Sequence, residues 1–261
     1  MPRKSSGTFQ EIWDFAKTVI WAGIIAIVIR TFFYEPFNIP SKSMVPTLLV
    51  GDYLFVSKTT FGYSKFSFPL SLVPFDGRIW AGEPKRGDVV VFRPPGEIDT
   101  DFIKRVIGLP GDRIQVREGR LYINGEMVQR QEIEDYVDPE EPRCPCKQYL
   151  ETLPGGVVHR IVEASGDTGS YDNTPIYVVP AGHYFMMGDN RDNSNDSRGF
   201  NDGRAPASLL PTDEITQQNG DLIGPVGFVP EENLIGPARI LFFSWSKPFD
   251  IRWSRLFNVV K

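Results

Sequence analysis

Two hydroxyls stand two residues apart, Ser41 and Ser43, within Ile39-Pro40-Ser41-Lys42-Ser43-Met44-Val45-Pro46-Thr47-Leu48. A serine hydroxyl attacks an amide carbonyl once a neighbouring base removes its proton, so this pair is a candidate for acyl-transfer chemistry. Pro40 and Pro46 restrict the backbone, and the residues before them, Ile39 and Val45, are disfavoured in the α region. In an extended segment alternate side chains share a face, which groups Ser41 with Ser43 and turns Lys42 the other way. The same residues also suit a plain polar loop leaving an apolar segment. The case for chemistry therefore depends on what else the chain supplies.

Candidate bases are few. The chain has two histidines, His159 and His183, and both read as ordinary surface or strand positions. Lys104 lies in Phe102-Ile103-Lys104-Arg105-Val106-Ile107, where alternation sets it beside Phe102 and Val106 and sets Ile103, Arg105 and Ile107 on the opposite face. An ordinary lysine, with a pKa of ~10.4, is the free amine only about 0.04% of the time at pH 7. Apolar surroundings penalise the ammonium and lower that value, each unit giving about tenfold more free base. A third polar cluster, Gly188-Asp189-Asn190-Arg191-Asp192-Asn193-Ser194-Asn195-Asp196-Ser197-Arg198, follows the apolar run Tyr184–Met187 and must satisfy itself with internal hydrogen bonds.

The elements that must position these groups are mostly short strands. At 261 residues, with 24 Gly, 22 Pro and 19 Phe, the chain favours a β-rich fold with a core of its own. A net charge of -5 gives no nucleic-acid surface, and two cysteines at Cys144-Pro145-Cys146 are too sparse for a zinc site. Those cysteines could close a strained Cys-x-Cys disulfide in an oxidising compartment or stay apart. Neither has a catalytic part.

An apolar segment runs from Ile12 to about Phe37, behind a basic start containing Arg3 and Lys4. Lys17 and Arg30 sit toward its two ends, where long side chains reach the headgroups, with Trp13, Trp21, Phe32, Phe33 and Tyr34 near the boundaries. A cleaved signal peptide would need a small-x-small site after the apolar core, where Arg30-Thr31-Phe32-Phe33 stands instead. A buried helix would leave Arg30 in need of a partner. The reading is an uncleaved single-pass anchor with its amino end in the cytoplasm. Strands follow at Gly51–Val56, Val89–Phe92 and Phe102–Ile107, and again after the type II turn signal Gly108-Leu109-Pro110-Gly111. Residues 61–80, rich in Phe, fit either a hairpin folded on the core or an apolar lobe touching lipid. Residues 130–147 are acidic and proline-rich, which predicts an exposed loop, and 199–226 show little regular pattern.

Three ordered blocks, Ile39–Thr47, Phe102–Asp112 and the loop 188–198, together with Gly227-Phe228-Val229-Pro230 and Leu234-Ile235-Gly236, resemble bacterial type I signal peptidase, a membrane-anchored Ser-Lys endopeptidase family. The resemblance implies Ser43 as nucleophile and Lys104 as its general base. It implies an oxyanion hole from the Ser43 N–H and Ser41, with Ser194 orienting the lysine and Asp196 and Arg198 as a supporting pair. Two departures stand out: Lys42 where the family often has Gly, and about 28 residues, 199–226, ahead of the Gly-Phe-Val-Pro motif.

The implied fold is mainly β, an antiparallel catalytic domain (37–112 and 184–261) with a smaller β domain (113–183) inserted in it. A cytoplasmic amino end (1–11) and a transmembrane helix (12–36) precede it. The implied activity is removal of signal peptides from exported precursors, small residues being preferred at the first and third positions before the scissile bond. Substrates would bind extended along exposed strand edges. The partners are then precursor proteins and the lipid bilayer, with no metal or organic cofactor, and the catalytic domain lies on the outer face of the cytoplasmic membrane. The rivals are a processing protease with few substrates and an inactive envelope scaffold. Ala205-Pro206-Ala207 matches the small-x-small preference and is a candidate self-cleavage site.

Overall fold

Apolar residues on every side of one long helix, α1 (Ser6–Phe32), leave it without a face to bury against the rest of the protein. The computed structural model describes residues 6–68, 76–95, 100–138, 141–199, 214–216, 226–246 and 250–261. Within α1, Gln10–Phe32 is long and apolar enough to cross a membrane, and none of it is buried. Its 23 residues rise about 35 Å at ~1.5 Å each, against a hydrocarbon core of ~30 Å. Lys17 pairs with Asp14 at one end, at 3.2 Å, and Arg30 approaches Glu35 to 3.8 Å at the other. The last carbonyls of a helix have no partner within it, and here the Tyr63 hydroxyl donates to Phe32 O at 2.6 Å. The anchor expected over 12–36 is helical only to Phe32, because Tyr34–Asn38 already forms β1.

Among the described residues β1 is followed by β2 (Asp52–Ser57), β3 (Val89–Phe92), β4 (Phe102–Gly108), β5 (Arg113–Arg117), β6 (Arg120–Ile123), β7 (Glu126–Met127), β8 (Gln129–Glu132) and β9 (Tyr136–Asp138). Then come β10 (Glu141–Thr152), β11 (Val158–Glu163), β12 (Ile176–Val178), β13 (His183–Met187), β14 (Glu214–Ile215), β15 (Val229–Pro230), β16 (Leu234–Ser246) and β17 (Asp250–Ile251). The fold is mainly antiparallel β, with one parallel pair among the described strands, β12 with β14. The first sheet has the order β1-β2-β16-β3-β4-β13-β15, with β17 on the end of β16. The chain leaves this sheet after β4 and returns at β13. Between them it builds β11-β10-β8, with β9 beside β10, and the sheet β14-β12-β5-β6-β7, to which β14 comes from further along the chain.

Alternation along the strands fills three apolar clusters. One joins Ile107, Phe185 and Met187 of the first sheet to Ile114, Leu121, Ile123, Tyr177 and Ile215, so these two sheets share a core. A second packs Met44 and Leu48 against Leu54, Val56, Val91, Ile103 and Ile235. Burying such side chains fully is worth ~1.5–3 kcal/mol each, and it pins the backbone that follows Ser43.

The loop expected at 130–147 is instead β8, β9 and the start of β10. Tyr149–Thr152 pair with Gln129–Glu132, and the β9–β10 register is irregular between Glu141 and Cys146. Pro142 and Pro145 fall in that irregular stretch, where a missing N–H costs no regular ladder bond. The lobe at 61–80 is divided: Phe61 is buried, Tyr63 and Phe68 ring-pack on Phe32 of α1, and Ile79 and Trp80 are exposed. The rest of it, 69–75, lies outside the described residues, as do Ala205–Ala207 and the Cys144 side chain.

Asp52 of β2 ties the turn before it, β16 and the carboxyl-terminal segment together. Its carboxylate, fully buried, accepts from the Leu49 N–H at 2.8 Å, from Ser244 Oγ at 2.6 Å and from Arg255 Nε at 3.0 Å. Truncation leaves a guanidinium and an N–H without their acceptor. Asp52→Ala is expected to cost about 3 kcal/mol or more, read as a lower urea midpoint with an unchanged m-value.

Candidate active site

Ser43 and Lys104 meet at the floor of a cleft of about 340 Å³ whose walls include Phe37, Ile39, Ser41, Val91 and Phe102. Ser43 sits in the turn between β1 and β2, with Met44 and Leu48 sunk into the core beneath it. Lys104 is the third residue of β4, paired with Val90 of β3. Its Nζ donates to Ser43 Oγ at 2.7 Å and to the Ile103 carbonyl at 3.1 Å, and lies 5.4 Å from the Phe102 ring centre. The lysine is only 4% exposed. Burial lowers its pKa to about 8, against the opposing pull of Asp196 and Asp189. At pH 7 that leaves about a tenth of the amine unprotonated, about two hundredfold more than for a solvated lysine. In the neutral state the contact reverses and the serine hydroxyl donates to the amine, the arrangement that activates an oxygen nucleophile.

Ser41 Oγ lies 3.3 Å from Ser43 Oγ on the open side of the cleft. Lys42, the rival amine, turns away and pairs with Asp138 of β9 at 2.8 Å. Ser194 is buried against Gly188, and among the described residues its hydroxyl has no hydrogen-bond partner, so it does not bond Lys104. Gly188 is confined to glycine by space: a Cβ there would stand 2.2 Å from Ser194 Oγ and 2.5 Å from Ser43 O. Asp196 and Arg198 form a buried two-pronged pair, Nε to Oδ1 at 3.0 Å and Nη2 to Oδ2 at 2.8 Å. Asp196 also accepts from the Gly188 N–H at 2.9 Å, and Arg198 donates to the Arg191 carbonyl at 2.6 Å. Burial pushes the Asp196 carboxyl up, and Arg198 outweighs it and holds the group below the usual carboxylate range.

A second set of buried charges did not stand out in the sequence. Arg105 donates through Nε and Nη2 to Asp189, at 2.8 and 2.7 Å, and through Nη1 to the Gly87 carbonyl at 2.7 Å. Thr47 Oγ1 donates to the same Asp189 at 2.5 Å. His159, expected at an ordinary surface or strand position, is on β11 but buried. Its Nδ1 is 3.5 Å from Asp189 Oδ1 and its Nε2 3.2 Å from Glu151 Oε2, close approaches without aligned hydrogen bonds. Arg191 holds Glu151 from the other side, Nη1 to Oε1 at 3.0 Å. Burial raises the Glu151 carboxyl, and Arg191 with His159 reverses this, leaving it at about 2. The available signal was alternation: His159 shares its strand face with Ile161 and Glu163, all buried, while Val158 and Arg160 are exposed. His183 is half-buried, its Nδ1 2.9 Å from the Ala181 carbonyl.

The family model described as "Signal peptidase, peptidase S26" matches residues 12–245. A protein named Signal peptidase I from Rickettsia typhi is 40% identical over 227 residues, covering 84% of this chain and 76% of that one. Its counterpart of the same name in Rickettsia conorii is 40% identical over 242 residues, covering 90% and 79%. A crystal structure of a signal peptidase I from Enterococcus faecalis V583 aligns at 26% identity and a TM-score of 0.30, over 59% of this chain and 96% of that one. The family match spans both the Ser43 turn and the 188–198 loop, and the Rickettsia relatives run through most of their length, so the chain belongs to the S26 signal peptidases, a family of serine peptidases.

Proposed function

We propose that the protein removes N-terminal signal peptides from exported precursors, with Ser43 as nucleophile and Lys104 as general base. The observation that carries this reading is the 2.7 Å contact from a buried Lys104 amine to Ser43 Oγ at the floor of an apolar cleft. The neutral amine takes the serine proton as Oγ bonds to the scissile carbonyl carbon. The resulting ammonium then returns a proton to the leaving amine, and water repeats the sequence on the acyl-enzyme. The Ser43 N–H and Ser41 Oγ receive the oxyanion. Ser194 packs the loop toward the lysine, and Asp196 with Arg198 braces it. Substrate lies extended beside residues 37–41 and 100–104, which both line the cleft, and Phe37, Ile39 and Phe102 favour small apolar side chains at the −1 and −3 positions. Lys42 plays no part in proton transfer, since its amine is engaged with Asp138.

The helix α1 anchors the enzyme in the cytoplasmic membrane with Arg3 and Lys4 on the cytoplasmic side, and the β domain faces outward. Protease added to intact spheroplasts is expected to degrade the chain to a membrane-held fragment. Protection until the membrane is opened would reverse the orientation.

Ser43→Ala, Lys104→Ala and Lys104→Arg are each expected to abolish precursor cleavage, the last because guanidinium stays protonated. Lys42→Gly, His183→Ala and wild type should cleave at similar rates. With the amine at about 8, kcat/KM is expected to rise about tenfold per pH unit below that value and level off above it. A folded Lys104→Arg enzyme that still cuts would end the assignment.

The same lowered pKa has a stability consequence. Between about 8 and the ordinary lysine value of 10.5, the unfolded chain keeps the Lys104 proton and the folded chain does not, so stability rises with pH across that window. Below it the folded state carries the full cost of a buried ammonium. Lys104→Met is expected to flatten this rise and to be more stable than wild type at pH 7, by up to about 3 kcal/mol, in urea titrations at pH 7 and pH 10.

A further inference from the structure

We infer that Asn190 is a positioning residue that holds the Lys42–Ser43 peptide so that the Ser43 N–H faces the developing oxyanion. A trans peptide carries its carbonyl and its N–H on opposite sides of one rigid plane. Fixing the Lys42 carbonyl therefore fixes the direction of the Ser43 N–H. Asn190 Nδ2 donates to Lys42 O at 3.2 Å, and the Asn190 N–H donates to Ser43 O at 3.1 Å. One residue thus grips both carbonyls that flank the nucleophile. The Lys42 carbonyl also accepts from the Val45 N–H at 3.2 Å, whereas among the described residues the Ser43 N–H donates to no partner. Donation to a peptide oxygen polarises the N–H of the same peptide, so this contact both aims and strengthens the donor.

Asn190 can do this because its own place is set from behind. It is 9% exposed and bridges to Val162 of β11: the Val162 N–H donates to Asp189 O at 3.0 Å and the Arg191 N–H to Val162 O at 2.9 Å. Its neighbours in sequence are locked separately, Asp189 by Arg105 and Arg191 by Glu151. The amide orientation follows from chemistry, since a carbonyl partner accepts only from the NH₂ end. Side-chain loss leaves the backbone bond to Ser43 O intact, so it loosens the peptide plane without dismantling the loop.

This inference rests on the Ser43 nucleophile proposed above, and the test separates the two. Full-length enzyme carrying Asn190→Ala or Asn190→Asp is assayed on a precursor peptide and titrated with two ligands: a peptide aldehyde ending at the −1 residue and the matching product peptide. Ser43 adds to the aldehyde: the Oγ–C bond forms, the carbonyl π pair moves to oxygen, and the serine proton passes to Lys104. Only that adduct places charge on the oxyanion donors. In Asn190→Ala, kcat is expected to fall about tenfold to a hundredfold, below the ~10²–10³ for deleting a donor outright. KM should stay within about twofold, and the pH midpoint should not move, because Lys104 is untouched. Aldehyde affinity should fall in step with kcat, and product affinity should hold. Asn190→Asp keeps the side-chain size, removes the donor and sets a carboxylate against the Lys42 carbonyl, so its loss should be larger. If the alanine variant does not fold, the aspartate variant carries the kcat and aldehyde-against-product comparisons, read above its own pH midpoint. Retention of wild-type kcat in a folded variant, or equal losses of aldehyde and product affinity, overturns the inference. Cleavage that survives Ser43→Ala would instead overturn the nucleophile on which it rests.

Discussion

The mechanism proposed for this cleft requires a lysine amine kept dry, and much of the surrounding architecture is consistent with that requirement. Lys104 comes off a central strand, between β3 and β13, and its Nζ is covered by Ser43 and the Phe102 ring. Two buried carboxylates lie close enough to pull its pKa back up, Asp196 and Asp189. Each is matched by a guanidinium in a two-pronged bond, Arg198 for one and Arg105 for the other. Arg198 itself also acts on Lys104 in the lowering direction. Loop charges that would hold the amine protonated are thus neutralised within the loop and its neighbour strand, and desolvation prevails.

Those ion pairs also explain why residues between β4 and β13 matter to a site they do not line. Glu151 of β10 and His159 of β11 lie in contact with the 189–191 segment, through Arg191 and Asp189 respectively. Removing one member of such a buried set leaves an uncompensated charge, which costs far more than the intact pair contributes. The sheet β11-β10-β8 therefore supports the Ser43 turn from its rear. A rigid ladder sets the loop, and the loop sets the peptide at Ser43. Val162, an unremarkable apolar residue by type, is the joint between the two.

What could be read in the sequence follows from the range of each interaction. Strand alternation is local, and it correctly grouped Lys104 with Phe102 and turned Lys42 away from Ser43. It also put Arg105 on the face of Ile103 and Ile107, which already implied a buried partner. That partner, Asp189, is 84 residues away, and nothing local names it. His159 was misjudged because its type outweighed its period: it alternates with exposed Val158 and Arg160 and so had to point inward. The strands in 130–147 were missed for the opposite reason. Acidic side chains and prolines look like loop, but edge strands with an irregular register tolerate both, as β9 and the start of β10 do.

Only Phe33 separates the last residue of α1 from the first of β1, and the Tyr63 hydroxyl and the Lys58 N–H clasp the carbonyls at this junction. There is no hinge. From Phe32 to Ser43 the chain could span no more than roughly 40 Å even if fully extended. With α1 as the proposed membrane anchor, the cleft would be held at a set height, like a blade on a fixed mount. On that proposal, search for a second membrane-held chain would become a lateral encounter in two dimensions, and a peptide bond too far from the bilayer surface would be out of reach whatever its sequence.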